Sequence, residues 1–160
     1  MYIVAMYSKS VRSEPPGTAT GAIVWRLATK WRVAVDRALA PLDLTHAQYV
    51  LLAALYGLER AGRQPNQREL ADETGLEALY VSKLARTLEA KDLLARRRDP
   101  HDTRAVQLTL TSRGHDGVRS AMQTVQDLLE RLLTPLGGRD SSRTAALVRD
   151  LAELLDAPLA

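Results

Sequence analysis

Leu79, Ser82, Lys83 and Arg86 fall on one face if the residues around them form a helix, since successive positions advance by about 100°. Tyr80 and Thr87 flank that face. It offers an apolar tip, hydrogen-bonding groups and two cations. An arginine fork can pair bidentately with a guanine edge, and an aliphatic tip can meet a thymine methyl. The chemistry is therefore recognition of duplex DNA and not bond-making. The competing reading of Lys83 and Arg86 is a merely solvated helix face. A second basic concentration follows in Arg96, Arg97 and Arg98, then the turn Asp99-Pro100-His101-Asp102, then Arg104. Strand alternation cannot send all three successive arginines one way, so this run is assigned to phosphates or to fold support.

These side chains need a scaffold, and residues 66–114 supply its outline. Asn66 and Glu69 form a capping-box pattern, and Leu70, Ala71 and Thr74 face inward from the short helix that follows. Gly75 permits a sharp turn. The next helix starts near Glu77, a weaker cap than Ser or Asp, and its inward set is Val81, Leu84, Ala85 and Leu88. The period then changes to two: Val106, Leu108 and Leu110 alternate with Ala105, Gln107 and Thr109, as in a half-buried strand. A helix-turn-helix followed by a basic two-stranded ribbon is predicted.

Long helices flank this unit. The first is expected over about residues 20–39, with Val24, Leu27, Ala28, Trp31 and Val35 at helical spacing and Pro41 at its end. Thr45 and Gln48 make another capping box, ahead of an apolar helix and an exit loop over 60–65. Thr111 caps a helix to about residue 134, with a seam of Val118, Met122, Val125, Leu129 and Leu132. A last helix over about 141–155 presents Leu147, Val148, Leu151, Leu154 and Leu155. The fold class is mostly α (α+β): six helices and one small ribbon. Broad apolar faces on the first, fifth and sixth helices predict an isologous two-fold dimer; the alternative is that they complete a monomeric core.

Bulk properties limit the remaining classes. The chain has 160 residues, 46% hydrophobic and 26% charged, with a formal net charge of +3. That is one mildly basic domain, in which the placement of cations carries any nucleic-acid argument. With no Cys, thiol chemistry and Cys-ligated zinc are excluded. The opening MYIVAMYSKS is too short to span a bilayer, so residues 1–17 are read as a flexible arm and the location as cytoplasmic, with no membrane. Asp99, His101, Asp102 and His115 resemble no closed metal site, and acidic residues beside a proline are ordinary turn chemistry. No phosphate loop, nucleophile elbow or acid–base constellation is present, so neither an enzyme nor a cofactor is expected.

The ribbon segment Arg97 to Arg104, with Asp102-Thr103-Arg104, then Leu110-Thr111 and Gly114, resembles the wing signature of the MarR family of bacterial regulators. Glu69-Leu70-Ala71 and the run from Val81 to Glu89 resemble that family's helix-turn-helix. The resemblance implies a homodimeric winged-helix transcription factor, usually a repressor, on a near-palindromic operator in double-stranded DNA. It divides the chain into a dimerisation helix (18–44), a DNA-binding lobe (45–111) and further dimerisation helices (112–160). By position, Arg104 is the minor-groove arginine and Asp102 its orienting partner, while Ser82, Lys83 and Arg86 sit on the recognition face. Lys83 stands where Arg is common in the family. Arg97 and Arg98 complete the expected DNA-binding set. The resemblance further implies a small aromatic or anionic effector between frame and lobe, for which Trp25, Trp31, His46 and Tyr49 are the candidate lining; their alternative is ordinary core. A helical dimer that binds a protein partner, without operator recognition, is the competing function.

Overall fold

A computed structural model describes residues 16–100, 102 and 104–158. Six helices and one antiparallel ribbon follow in chain order: α1 (Pro16–Leu39), α2 (His46–Arg60), α3 (Gln67–Thr74), α4 (Ala78–Ala90), β1 (Leu94–Arg98), β2 (Val106–Leu110), α5 (Ser112–Leu133) and α6 (Ser142–Asp156). Short 3-10 turns at Ala40–Leu42 and Thr134–Leu136 lead out of α1 and α5. Among the described residues no single helix is long and apolar enough to cross a membrane.

The caps read from sequence form. Thr45 accepts from the Gln48 amide and the Gln48 side chain accepts from the Thr45 amide, a reciprocal pair at the start of α2. Pro41 lies in the 3-10 turn after α1, and Asp43 then takes a left-handed conformation, φ 53°, to bring the chain back. The start of α1 differs from expectation. It lies at Pro16, not near Thr20, because a proline at the first helical position loses no hydrogen bond. Residues 1–15, the greater part of the expected arm, lie outside the described residues.

One hydrophobic core joins all elements but α6. Val35 and Leu39 of α1, Leu51, Leu52 and Leu55 of α2, and Leu70 of α3 meet Val81, Ala85 and Leu88 of α4, Leu94 and Leu108 of the ribbon, and Val118 and Ala121 of α5. The buried stripe of α5 is Gly114, Val118, Ala121 and Val125; Met122, Leu129 and Leu132 of the expected seam are only half-buried. The small Ala121 lets the neighbouring helices approach, which rotates the stripe away from the larger side chains.

β1 pairs with β2 in the register Leu94↔Leu110 through Arg98↔Val106. The expected exit loop before α3 does more than connect. The Leu108 amide donates to the Pro65 carbonyl at 3.0 Å, and Asn66 bridges to Gln107, so the loop lies along the free edge of β2.

The ribbon hands directly over to α5. Thr111 donates its amide to the Leu93 carbonyl at 3.2 Å and its hydroxyl to the Asp92 carbonyl at 2.7 Å, while that hydroxyl accepts from the Gly114 amide at 2.9 Å. A Cβ at position 114 would collide with the Leu93 carbonyl oxygen. Glu59 of α2 closes the arrangement: one carboxylate oxygen accepts from the Leu110 amide at 2.7 Å and the other lies 3.2 Å from His115 Nε2.

The terminal helices leave apolar surface uncovered. Trp25 of α1 is 64% exposed and Leu155 of α6 is 85% exposed, with Ile23, Val24, Leu27, Val148, Leu151 and Leu154 also exposed. These faces do not complete the core of one chain.

Gly114→Ala is expected to destabilise the protein by about 3 kcal/mol, since the obstructing atom is backbone and cannot rotate away. Gly117→Ala, whose Cβ would meet only the Leu93 side chain at 3.5 Å, is the control and gains up to about 1 kcal/mol of helix propensity. Urea unfolding of the two variants checks the pair; equal midpoints would discount the close approach.

Candidate nucleic-acid interface

α3 and α4 form the helix-turn-helix through local bonds. Asn66 Oδ1 accepts from the Arg68 and Glu69 amides at 3.0 and 2.9 Å, and Glu69 accepts from the Asn66 amide at 2.8 Å. At the other end of α3, the Thr74 hydroxyl donates to the Leu70 carbonyl at 2.6 Å and Gly75 turns the chain at φ 68°. Glu77 at the start of α4 provides no side-chain cap.

Val81, Leu84, Ala85 and Leu88 are all buried, as the spacing predicts. Their burial fixes which way the rest of α4 points. Leu79 is 85% exposed, Lys83, Arg86 and Thr87 are exposed, and Ser82 is half-buried between the two faces. The Thr87 hydroxyl folds back to the Lys83 carbonyl at 3.2 Å. Tyr80, expected to flank that face, is 42% exposed and also lines the cleft between α4 and the α1–α2 junction.

The three wing arginines separate. Arg96 points back into the lobe, where its Nε lies 2.7 Å from Glu89 of α4. Arg97 and Arg98 are exposed on the ribbon. Arg104 is exposed at its tip, as expected, but Asp102 holds it in an unexpected way. Asp102 Oδ1 accepts from the Arg104 backbone amide at 2.9 Å, and the Asp102 amide donates to Asp99 Oδ1 at 3.2 Å. The carboxylate thus shapes the turn backbone from which Arg104 projects and does not clamp the guanidinium. His101 and Thr103 of this turn lie outside the described residues.

Arg68 was not singled out by sequence reasoning. It shares a groove of about 560 Å³ with Arg104, Asn66 and Gln67, between the start of α3 and the wing. A cation two residues after an N-cap was the available signal, and only folding shows that it faces the wing.

Asp99, Asp102 and His115 do not gather at one place among the described residues. Asp99 and Asp102 serve the turn, while His115 sits against Glu59 and edge-on to Tyr56 at 5.8 Å.

Nor do the four candidate effector residues come together. Trp25 is largely exposed on α1, and Tyr49 packs against the core, where burial raises its pKa. Trp31 meets His46 edge-to-face at 6.5 Å, and of the four only His46 lines the cleft. They share a chemical type, but their helix faces diverge. The cleft measures about 720 Å³ and is lined by Arg32 and Asp36 of α1, Ala40 of the 3-10 turn, Ala47 and Val50 of α2, Thr74 and Leu76 around the α3–α4 turn, and Tyr80 of α4. Asp36 joins its walls, accepting from the His46 amide at 2.7 Å with the Arg32 guanidinium at 3.6 Å. Burial lowers the His46 pKa below its ordinary 6.5, with Asp36 opposing and Arg32 reinforcing that shift.

A helix-turn-helix with an exposed polar-basic second helix, followed by an arginine-tipped β-ribbon, defines a winged helix-turn-helix protein. A sequence profile described as the MarR family matches residues 42–105. The uncharacterized HTH-type transcriptional regulator YdcH of Bacillus subtilis (strain 168) is 35% identical over 113 residues, 71% of this chain and 77% of that protein. Among solved structures, the transcriptional repressor CouR bound to a 23-mer DNA duplex is 30% identical, with a TM-score of 0.72 over 84% of this chain and 91% of that one. Bordetella bronchiseptica BpsR, whose DNA binding is regulated by 6-hydroxynicotinic acid, is 25% identical, with a TM-score of 0.73 over 86% and 98% of the two chains. The chain belongs to the MarR family of DNA-binding transcriptional regulators.

Because the folded His46 pKa is depressed, the folded state binds fewer protons than the unfolded chain once pH drops below about 6.5. Its contribution to stability is present above that pH and is lost as pH falls through the lower folded value. Thermal melts from pH 7.5 to 5 are expected to show a smaller acid loss in His46→Gln than in wild type. Parallel curves would discount the burial of this imidazole.

Proposed function

We propose that this regulator is a homodimeric repressor that binds a near-palindromic operator and is released by a small aromatic or anionic ligand. The observation that carries the reading is the division of α4: its inner face is wholly committed to the core, while Leu79, Lys83, Arg86 and Thr87 stay exposed beside the Arg104 wing. In this reading α4 enters the major groove and Arg104 the narrow minor groove, whose negative potential favours a guanidinium. Arg68, Arg97 and Arg98 meet phosphates. Lys83 supplies a point charge, whereas Arg86 supplies a bidentate fork.

The exposed apolar faces of α1 and α6 support pairing of two copies through residues 18–44 and 112–160, with 45–111 as the reading lobe. Two recognition helices must lie about one DNA turn apart, roughly 34 Å, to use both half-sites. The α1–α2–α4 cleft supports ligand control because it separates that frame from that lobe. Its apolar wall suits a planar ring, and Arg32 suits an anionic substituent that competes with Asp36. A ligand favouring the wrong spacing by about 1–3 kcal/mol lowers operator affinity roughly 5–150-fold. Such a regulator acts in the cytoplasm.

Binding to the duplex beside its own gene, against a scrambled duplex at fixed salt, tests this. A preference of about 100-fold or more is expected. Arg104→Ala is expected to reduce operator affinity by about 1–3 kcal/mol. Asp102→Asn keeps an acceptor for the Arg104 amide and should bind nearly as wild type, whereas Asp102→Ala loses about 1 kcal/mol. Equal, weak binding of both duplexes would sink the operator reading and favour a protein-interaction role.

A further inference from the structure

We infer that Tyr80 is the positioning residue through which an occupant of the α1–α2–α4 cleft moves the recognition helix. This rests on the effector reading above and adds the link by which the cleft reaches the DNA-reading face. Tyr80 is the one residue of α4, among the described residues, that lines the cleft. Its sequence neighbours do opposite things. Leu79 is 85% exposed on the outer face and Val81 is fully buried. A push on the Tyr80 ring therefore acts directly between an anchored position and a reading position.

The two walls differ in how they are anchored. The α2 wall is held by the Thr45–Gln48 capping box, the His46 amide on Asp36 and the edge of Trp31 against the His46 ring. The α4 wall begins at a helix start without a side-chain cap, where the Val81 amide donates to the Glu77 carbonyl at 2.9 Å. An occupant wedged between them displaces the less anchored side. Val81, Leu84, Ala85 and Leu88 are anchored in the core, so the displacement is a pivot concentrated at the Ala78–Tyr80 end ahead of Val81. That end carries Leu79, with Ser82 and Lys83 next along the helix. Hydrogen bonds to base edges weaken steeply with distance and angle, so a small pivot there costs operator affinity. The ring also fits the occupant's chemistry: a planar aromatic group stacks on Tyr80 while its anionic end reaches Arg32.

Filling the cleft from its better anchored side tests this without knowledge of the natural ligand. Ala47→Trp places an indole in the cleft that Tyr80 also lines, and Ala40→Trp fills it from the exposed rim should the first variant fail to fold. Thermal melts establish folding, and operator affinity is measured by fluorescence anisotropy. Ala47→Trp is expected to lose about tenfold in operator affinity. In the Tyr80→Ala background the same substitution is expected to cost less than about threefold in operator affinity while both folded variants keep their melting temperatures, the non-additivity of two side chains that act through each other. An equal tenfold loss in both backgrounds would overturn the role of Tyr80 and leave the effector reading standing. No loss from either folded, filled variant would sink the effector reading and this proposal together. Loss of operator preference in Tyr80→Ala alone would make Tyr80 a DNA contact, and also overturn it.

Discussion

The Leu93 carbonyl oxygen occupies the place where any side chain at position 114 would begin. This close approach ties the last turn before β1 to the first turn of α5, and most of the regulator's geometry depends on it. Thr111 uses both its amide and its hydroxyl to seal the junction, and the hydroxyl also starts α5 by accepting from Gly114. A longer frame helix therefore springs without slack from the end of the ribbon. The Leu-Thr-x-x-Gly pattern is thus a packing requirement: a threonine to cap and bridge, then a glycine one turn later to let a carbonyl through.

Glu59 extends that junction into the lobe. Its carboxylate reaches the Leu110 amide and His115, so α2, β2 and α5 share one polar anchor with a side chain only 17% exposed. Frame and lobe are consequently not separate bodies, since α2 and α5 pack in a common core with β2 and α4. Cations fall into two groups. Arg96 and Lys91 are engaged with Glu89 and Asp43, while Lys83, Arg86, Arg97, Arg98 and Arg104 stand exposed. A net charge of +3 understates the local positive potential of that edge.

What was legible in the sequence was what short-range physics determines. The capping boxes at Thr45 and Asn66 and the inward set of α4 need only neighbours three or four residues away, and all of them form. The wing alternation was legible for the same reason. Features set by distant partners were not. The loop at Pro65 carries no strand signal, yet β2 offers it an edge. Asp102 looked like a partner for a guanidinium because charge suggests pairing, but the turn placed an amide nearer. Trp25, Trp31, His46 and Tyr49 shared a chemical character and not a location. Helix angle put Tyr80 beside the outer face, but could not show that its ring also reaches sideways into a cleft.

The outer face of α4 supports almost nothing. Leu79, Lys83, Arg86 and Thr87 are exposed, and the one side-chain bond among them, from Thr87, goes back to its own helix. Substitutions at such positions usually change stability by less than about 0.5 kcal/mol. Selection can therefore change the side chains of this face with little risk to the fold, whereas Val81, Leu84, Ala85 and Leu88 directly beneath are held in place. Duplicated copies of this chain can thus diverge on that face within a few mutations and without passing through unfolded intermediates.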